Sequence, residues 1–160
     1  MKNNLFIGID PAFRAGGFSI CIIDASENTI IFKTFKIGFL GFCDWFLNDS
    51  PPEAIVCIEN SNLTRATFDL KGSKLVIARK SRNVGKNQAI SQNTVDLCKT
   101  KYPVINCTPK QKGKKWNKDI FDSVLIKEGH RTNKKTSNQD ERDAYKLALI
   151  ALKKPYLAEK

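Results

Sequence analysis

The sequence predicts an α/β fold: a mixed five-stranded sheet, three antiparallel strands followed by two parallel ones, flanked by helices. Three observations predict it. The runs Leu5-Phe6-Ile7-Gly8-Ile9 and Ala54-Ile55-Val56-Cys57-Ile58 are short and continuously apolar, the pattern of strands covered on both faces. The first run is followed at short intervals by two more, across turns too brief for anything but antiparallel neighbours. A helical segment then separates those three from the second apolar run, so that the fourth strand returns parallel to the first.

Taken in order, the first strand ends at Asp10, and Gly16-Gly17 turns the chain into Phe18-Ser19-Ile20-Cys21-Ile22-Ile23. A polar turn from Asp24 to Asn28 leads to the third strand, Thr29 to Ile37. Phe39, Phe42, Cys43, Phe46 and Leu47 recur at helical spacing, and Ser50-Pro51-Pro52 stops that helix before the strand ending at Glu59. From about Lys86 to Lys101 a long helix shows Ile90, Thr94, Val95, Leu97 and Cys98 on one face, and Val104-Ile105-Asn106-Cys107 is the fifth strand. A further helix spans roughly Asn117 to Glu128, with Ile120, Phe121, Val124 and Leu125 inward. The stretch from Gly129 to Asn138 is polar and basic and reads as a mobile loop.

The last helix opens at Asn138, a good N-cap, with Glu141 three residues on to complete a capping box. Its apolar stripe runs through Ala144, Leu147, Ala148 and Ala151, and Asp140 and Asp143 extend the same face, with Arg142, Lys146 and Lys153 turned away. Acids in a first turn also complement the helix dipole, which is the reading adopted for Glu141. Asp140 and Asp143 share the core-facing side, where an uncompensated charge costs several kcal/mol. A divalent cation is the simplest compensation. Asp10 and Glu59 end two strands expected to be parallel neighbours, so all four acids are placed to meet at one edge of the sheet.

The chain of 160 residues suits one domain, 1–160, and carries 27 Lys and Arg against 16 Asp and Glu, a net charge of +11 and a pI near 9.5. Such an excess calls for a polyanionic partner, and with no membrane-spanning apolar run, nucleic acid is the first choice and a membrane is not. No signal segment is evident, and Cys21, Cys43, Cys57, Cys98 and Cys107 lie without close pairs, as reduced buried residues do. A cytoplasmic protein is expected. Between Asn60 and Lys86 stand Arg65, Lys71, Lys74, Arg79, Lys80, Arg82 and Lys86 against one acid, Asp69, which places this segment to hold a phosphate backbone. A second basic patch, Lys110, Lys112, Lys114, Lys115 and Lys118, surrounds Trp116, and the nucleic-acid contacts are expected from Arg65, Lys71, Lys74, Arg79, Lys80, Arg82, Lys114, Lys115 and Lys118. Leu63 and Phe68 are assigned no role, and His130, in a polar loop, is read as incidental.

The motifs Ile7-Gly8-Ile9-Asp10-Pro11 with Gly16-Gly17-Phe18, Val56-Cys57-Ile58-Glu59-Asn60 and Asp140-Glu141-Arg142-Asp143-Ala144, in this order, resemble the ribonuclease H-like fold and within it the RuvC family of Holliday-junction resolvases. Arg82-Asn83-Val84-Gly85-Lys86-Asn87-Gln88-Ala89 and Arg131-Thr132-Asn133 look similar to its phage-borne branch, in which case the compartment is the host cytoplasm. The resemblance implies that Asp10, Glu59, Asp140 and Asp143 are catalytic metal ligands, and that Lys115 or Lys118 matches a lysine supporting phosphate binding. It also implies a homodimer acting on four-way DNA junctions, with the helix from about Lys86 as its interface. Departures from the pattern are a long, basic segment after Glu59 and an apparent insertion at Lys134 to Ser137. An all-oxygen ligand set suits Mg²⁺, with Mn²⁺ as a substitute, and two ions ~4 Å apart would clamp the scissile phosphate for in-line hydrolysis. The expected activity is a Mg-dependent structure-selective endodeoxyribonuclease. The alternatives are a nuclease of the same fold acting on RNA–DNA hybrids or flaps, and a non-catalytic nucleic-acid-binding protein. A sugar-kinase or actin-like ATPase is set aside, since 160 residues cannot supply its two lobes.

Overall fold

The computed structural model describes residues 4–63 and 71–160. β1 (Leu5–Asp10), β2 (Phe18–Asp24) and β3 (Thr29–Phe35) form the antiparallel meander, and β4 (Ile55–Glu59) and β5 (Val104–Cys107) add to it in parallel. The expected mixed sheet is present with one strand more. β6 (Arg131–Thr132) pairs parallel with β3, so the order is β5-β4-β1-β2-β3-β6. Two polar residues carry no strand pattern, so the sequence predicts a loop there. What recruits them is the free edge of β3: Arg131 N–H donates to Asn28 O at 2.8 Å and its guanidinium to Glu27 O at 3.0 Å.

Both faces of the sheet are covered, as the continuous apolar runs require. On one face Ile7, Ile9, Phe18, Ile20, Val56 and Ile58 pack with α1 (Phe39–Asn48) and the end of α2 (Lys74–Lys99). Phe18, Phe35, Phe42, Trp45 and Phe46 form a chain of ring contacts there, with Phe18 and Phe42 stacked at 4.8 Å. On the other face Phe6, Cys21, Ile23, Cys57, Ile105 and Cys107 pack against α5 (Gln139–Lys153) and α4 (Lys118–Glu128). Ile120 of α4, expected inside, is exposed, and Phe121 and Leu125 carry that contact.

α2 begins twelve residues before the expected start near Lys86. Ser73 caps it, its hydroxyl accepting from Val76 N–H, and the run Lys74 to Arg82 is rich in good helix formers. Periodicity missed this half because it buries nothing: only Ser91, Thr94, Val95 and Cys98 of the helix are buried. The basic residues Lys74, Arg79, Lys80 and Arg82 therefore ride on an exposed helix rather than a loop. No helix among the described residues is long and apolar enough to cross a membrane.

Candidate active site

The strand register and one glycine bring three of the four expected acids together. β1 and β4 pair with Ile9 beside Ile58, so one step further Asp10 stands next to Glu59 at the carboxyl edge. Residues alternate across a strand, which puts Phe6, Gly8 and Asp10 of β1, and Ile55, Cys57 and Glu59 of β4, on the α5 face. At Gly8 the helix touches the sheet: a Cβ there would lie 1.9 Å from Ala144 O and 2.3 Å from Ala148 N. Only a glycine permits that approach. It seats the start of α5 over β1 and brings Asp143, one residue before Ala144, to Asp10 and Glu59.

Lys112 stands at the point where those three carboxylates converge. Its ammonium lies 3.1 Å from Asp143 Oδ2 and 3.9 Å from Asp10 Oδ1 and is in contact with Glu59 Oε2. The four side chains are largely enclosed, Lys112 at 10% exposure and Asp10, Glu59 and Asp143 at 13, 16 and 5%. A single helical turn, α3 (Pro109–Lys112), delivers the lysine. Thr108 caps it in a reciprocal box, accepting from Gln111 N–H at 3.1 Å while Gln111 Oε1 accepts from Thr108 N–H at 2.7 Å. Since Cys107 pairs with Glu59 across β4 and β5, a turn begun at Thr108 starts beside the acids.

Burial raises the Asp10 carboxyl from its usual 3.8 to about 8; Lys112 opposes the rise, and Glu59, Asp143 and Asp140 add to it. For Lys112 burial alone lowers the pKa, but Asp10, Glu59 and Asp143 outweigh burial and raise it. The cluster thus shares charge tightly, and Gln139 Nε2 also donates to Asp143 Oδ1 at 2.9 Å.

Asp140 is not among the carboxylates on Lys112; one turn earlier along α5, at the more open mouth of the site, its carboxylate is a third exposed and 4.0 Å from the Arg14 guanidinium, and it still acts on Asp10. Glu141 is buried as a cap partner, receiving Asn138 Nδ2 at 3.2 Å and Lys134 while its own N–H donates to Asn138 Oδ1 at 2.8 Å. Lys146 and Arg142 do not face solvent as the helical wheel suggested. Lys146 is buried, donates to Lys114 O and lies 4.9 Å from the Trp116 ring centre; Arg142 donates to Trp116 O at 3.0 Å and Ser137 O at 2.6 Å. The segment between α3 and α4 closes over this side of α5, so the helix is covered nearly all round.

The site residue that sequence reasoning missed is Lys112. In sequence it belongs to a basic patch free of acids, yet in space it is the lysine among them. The signal was Thr108-Pro109-Lys110-Gln111, a capping signature directly after a strand. Asn60 is a second: buried beside Glu59, its amide donates to Gln92 Oε1 at 3.2 Å and Asn106 Oδ1 at 3.3 Å, tying the chain after Glu59 to α2 and β5.

Among the described residues no group of three or more His, Cys, Asp or Glu side chains is arranged to hold a metal ion as it stands; the Lys112 ammonium occupies the point where Asp10, Glu59 and Asp143 converge. The residues nevertheless fit a hard divalent cation. All donors are carboxylate oxygens, and a positive charge already sits at their meeting point.

Of the expected phosphate contacts, Lys71, Lys74, Arg79, Lys80, Arg82, Lys114 and Lys115 are exposed. Lys118 is exposed too but paired with Asp122 at 2.5 Å one turn along α4. Arg65 and Phe68 lie outside the described residues. His130, read as incidental, is half-buried and hydrogen-bonded through Nδ1 to the Tyr145 hydroxyl at 2.7 Å.

No protein-family model matches the chain, and no curated protein matches it. Among solved structures, T. thermophilus RuvC in complex with a Holliday junction substrate matches over 97% of this chain and 98% of that one, with a TM-score of 0.53 and 12% sequence identity. At that identity the likeness is one of fold: the chain has the RuvC-like, ribonuclease H-like architecture.

Proposed function

We propose that this protein is a metal-dependent endonuclease that cuts branched DNA, four-way junctions above all, by phosphodiester hydrolysis. The observation that carries the reading is the convergence of Asp10, Glu59 and Asp143 on one cationic point at the carboxyl edge of a parallel strand pair. The net charge of +11 supports a polyanionic substrate, and the RuvC neighbour was solved on a Holliday junction.

Asp10, Glu59 and Asp143, with Asp140 at the mouth, would hold Mg²⁺ or Mn²⁺, two ions per site. A bound ion of this kind supplies Lewis acidity and an activated water. The protein's own residues supply the rest. Asn60 and Gln92 hold the Glu59 strand end in place, and Gly8 lets α5 carry Asp143 to it. Lys112 balances the carboxylates when no metal is bound, and its flexible stem allows the ammonium to move toward a phosphate. The exposed cations of α2 bear on the DNA backbone beyond the site. A homodimer belongs to the reading, because symmetric resolution of a four-way junction needs two cuts and a two-fold enzyme brings two sites.

The test incubates the protein with a labelled four-way junction, a linear duplex and an RNA–DNA hybrid, in Mg²⁺ or EDTA, beside Asp10→Asn and Asp143→Asn. Paired, Mg²⁺-dependent cuts near the crossover, abolished by either substitution, are expected. Cleavage of the hybrid alone moves the substrate to RNA, and junction binding without cutting in any metal removes the enzyme reading.

A further inference from the structure

The residue that the nuclease reading leaves unused is Phe13. Of the described phenylalanines it alone is exposed, at 48%, three residues after Asp10 in the turn between β1 and β2. An apolar ring left in water at the rim of a charged site is either idle or waiting for a partner, and its surroundings hold it still. Its N–H donates to Asn87 Oδ1 at 3.0 Å, and the Lys86 ammonium lies 4.4 Å from its ring centre. The main-chain bond already fastens the turn to α2, so the ring is not needed as an anchor. Arg14, the next residue, reaches Asp140 at 4.0 Å and is 83% exposed.

The position along α2 completes the geometry. Asn87 receives the turn that follows Asp10, while Gln92, five residues on and roughly 7 Å along the helix axis, receives Asn60, the residue that follows Glu59. The turn that carries Phe13 is therefore fastened to the same helix that borders the carboxylate edge, at the root of its exposed basic half. An aromatic face flanked by phosphate-binding cations is the combination that binds single-stranded nucleic acid, since every base has a π-face and every nucleotide a phosphate. A base inside a duplex has both faces covered by its neighbours. A base at a strand end, a gap or a branch does not.

We propose that Phe13, with Lys86 and Arg14 beside it, is a stacking seat for an unpaired DNA base at the entrance to the carboxylate site, so that the protein selects DNA whose stacking is interrupted. This deepens the nuclease reading and rests on it for its biological meaning, but its test is a binding measurement that needs no cleavage.

The experiment measures binding in EDTA of an oligo(dT) single strand, a four-way junction and a blunt linear duplex to the wild type, Phe13→Ala and Phe13→Trp. Phe13→Ala is expected to weaken binding to the single strand and the junction about tenfold, or ~1.4 kcal/mol, at the low end for a lost base stack. Duplex binding stays within about twofold and the salt dependence keeps its slope, because no phosphate contact is removed. Phe13→Trp restores binding, and its indole fluorescence is quenched by the single strand. Equal loss on all three DNAs, no loss on any, or an indole whose emission ignores DNA would overturn the proposal. A thermal midpoint of Phe13→Ala matching wild type guards against misfolding, and Phe13→Trp carries the test if it does not match. Failure of the wild type to cut any DNA in Mg²⁺ would instead remove the nuclease reading and leave the stacking result standing.

Discussion

Replacing Lys112 by Met keeps the length and apolar stem of the side chain and deletes one buried positive charge. The ammonium interacts with Asp143 at 3.1 Å and Asp10 at 3.9 Å and contacts Glu59. At an effective dielectric of about 20 the first two distances correspond to roughly 5 and 4 kcal/mol of attraction. Desolvating the ammonium offsets several kcal/mol of this, and Asp10, pushed up to about 8, is mostly neutral at neutral pH, which discounts its share further. A net loss of about 3 kcal/mol remains, at the low end for removing one partner of a buried ion cluster. For a domain of this size that is a fall of roughly 6–12 °C in thermal midpoint. Calorimetry in EDTA at neutral pH measures it, with Lys110→Met, an exposed lysine two residues away, as a control expected to move by less than about 0.5 kcal/mol. Added Mg²⁺ should then raise the midpoint of Lys112→Met more than that of the wild type, where the ion has to displace the ammonium. A variant as stable as wild type in EDTA, or an equal Mg²⁺ shift in both, would show that Lys112 does not occupy the cation position.

Gly8→Ala should cost about 3 kcal/mol or more, because its methyl meets Ala144 and Ala148 main chain and α5 has to lift from β1; urea unfolding reads the loss, and cleavage should fall with it as Asp143 leaves Asp10. Changing Lys74, Arg79 and Arg82 together to Ala should weaken DNA binding and reduce the slope of log K against log salt by roughly 0.9 per lost duplex phosphate contact. An unchanged slope would mean that the exposed half of α2 does not touch the backbone. Burial lowers the pKa of His130 below its usual 6.5, with Lys153 adding to the fall and Glu128 opposing it. The folded state therefore binds the proton less readily than the unfolded chain, and stability is lost as pH drops below about 6.5 toward the folded value. His130→Gln should flatten the fall in thermal midpoint between about pH 7 and pH 5.5; parallel curves would refute it.

The sheet was legible because β1 and β4 are continuous apolar runs ended by acids, a pattern that survives without tertiary knowledge. α5 was legible from Asn138 and its stripe, and with it the meeting of Asp10, Glu59 and Asp143. The exposed half of α2 was not, since a helix that buries nothing has no periodicity to detect and only Ser73 marks its start. β6 was not, because its two residues become a strand only through the edge of β3 that receives them.

By itself the sequence determined which residue types end which elements: acids after two parallel strands, acids at the head of a helix, and cations in excess elsewhere. Those are local properties, written in apolar patterning and capping chemistry. The tertiary structure decided which charges meet. Lys112 is one lysine in a run of them until the turn capped by Thr108 carries it beside Glu59, and Asp140 is one acid of a pair until the path of α5 leaves it at the mouth. Charge pairing depends on distances of a few ångströms between segments far apart in the chain, and packing such as the contact of Gly8 with Ala144 sets those distances.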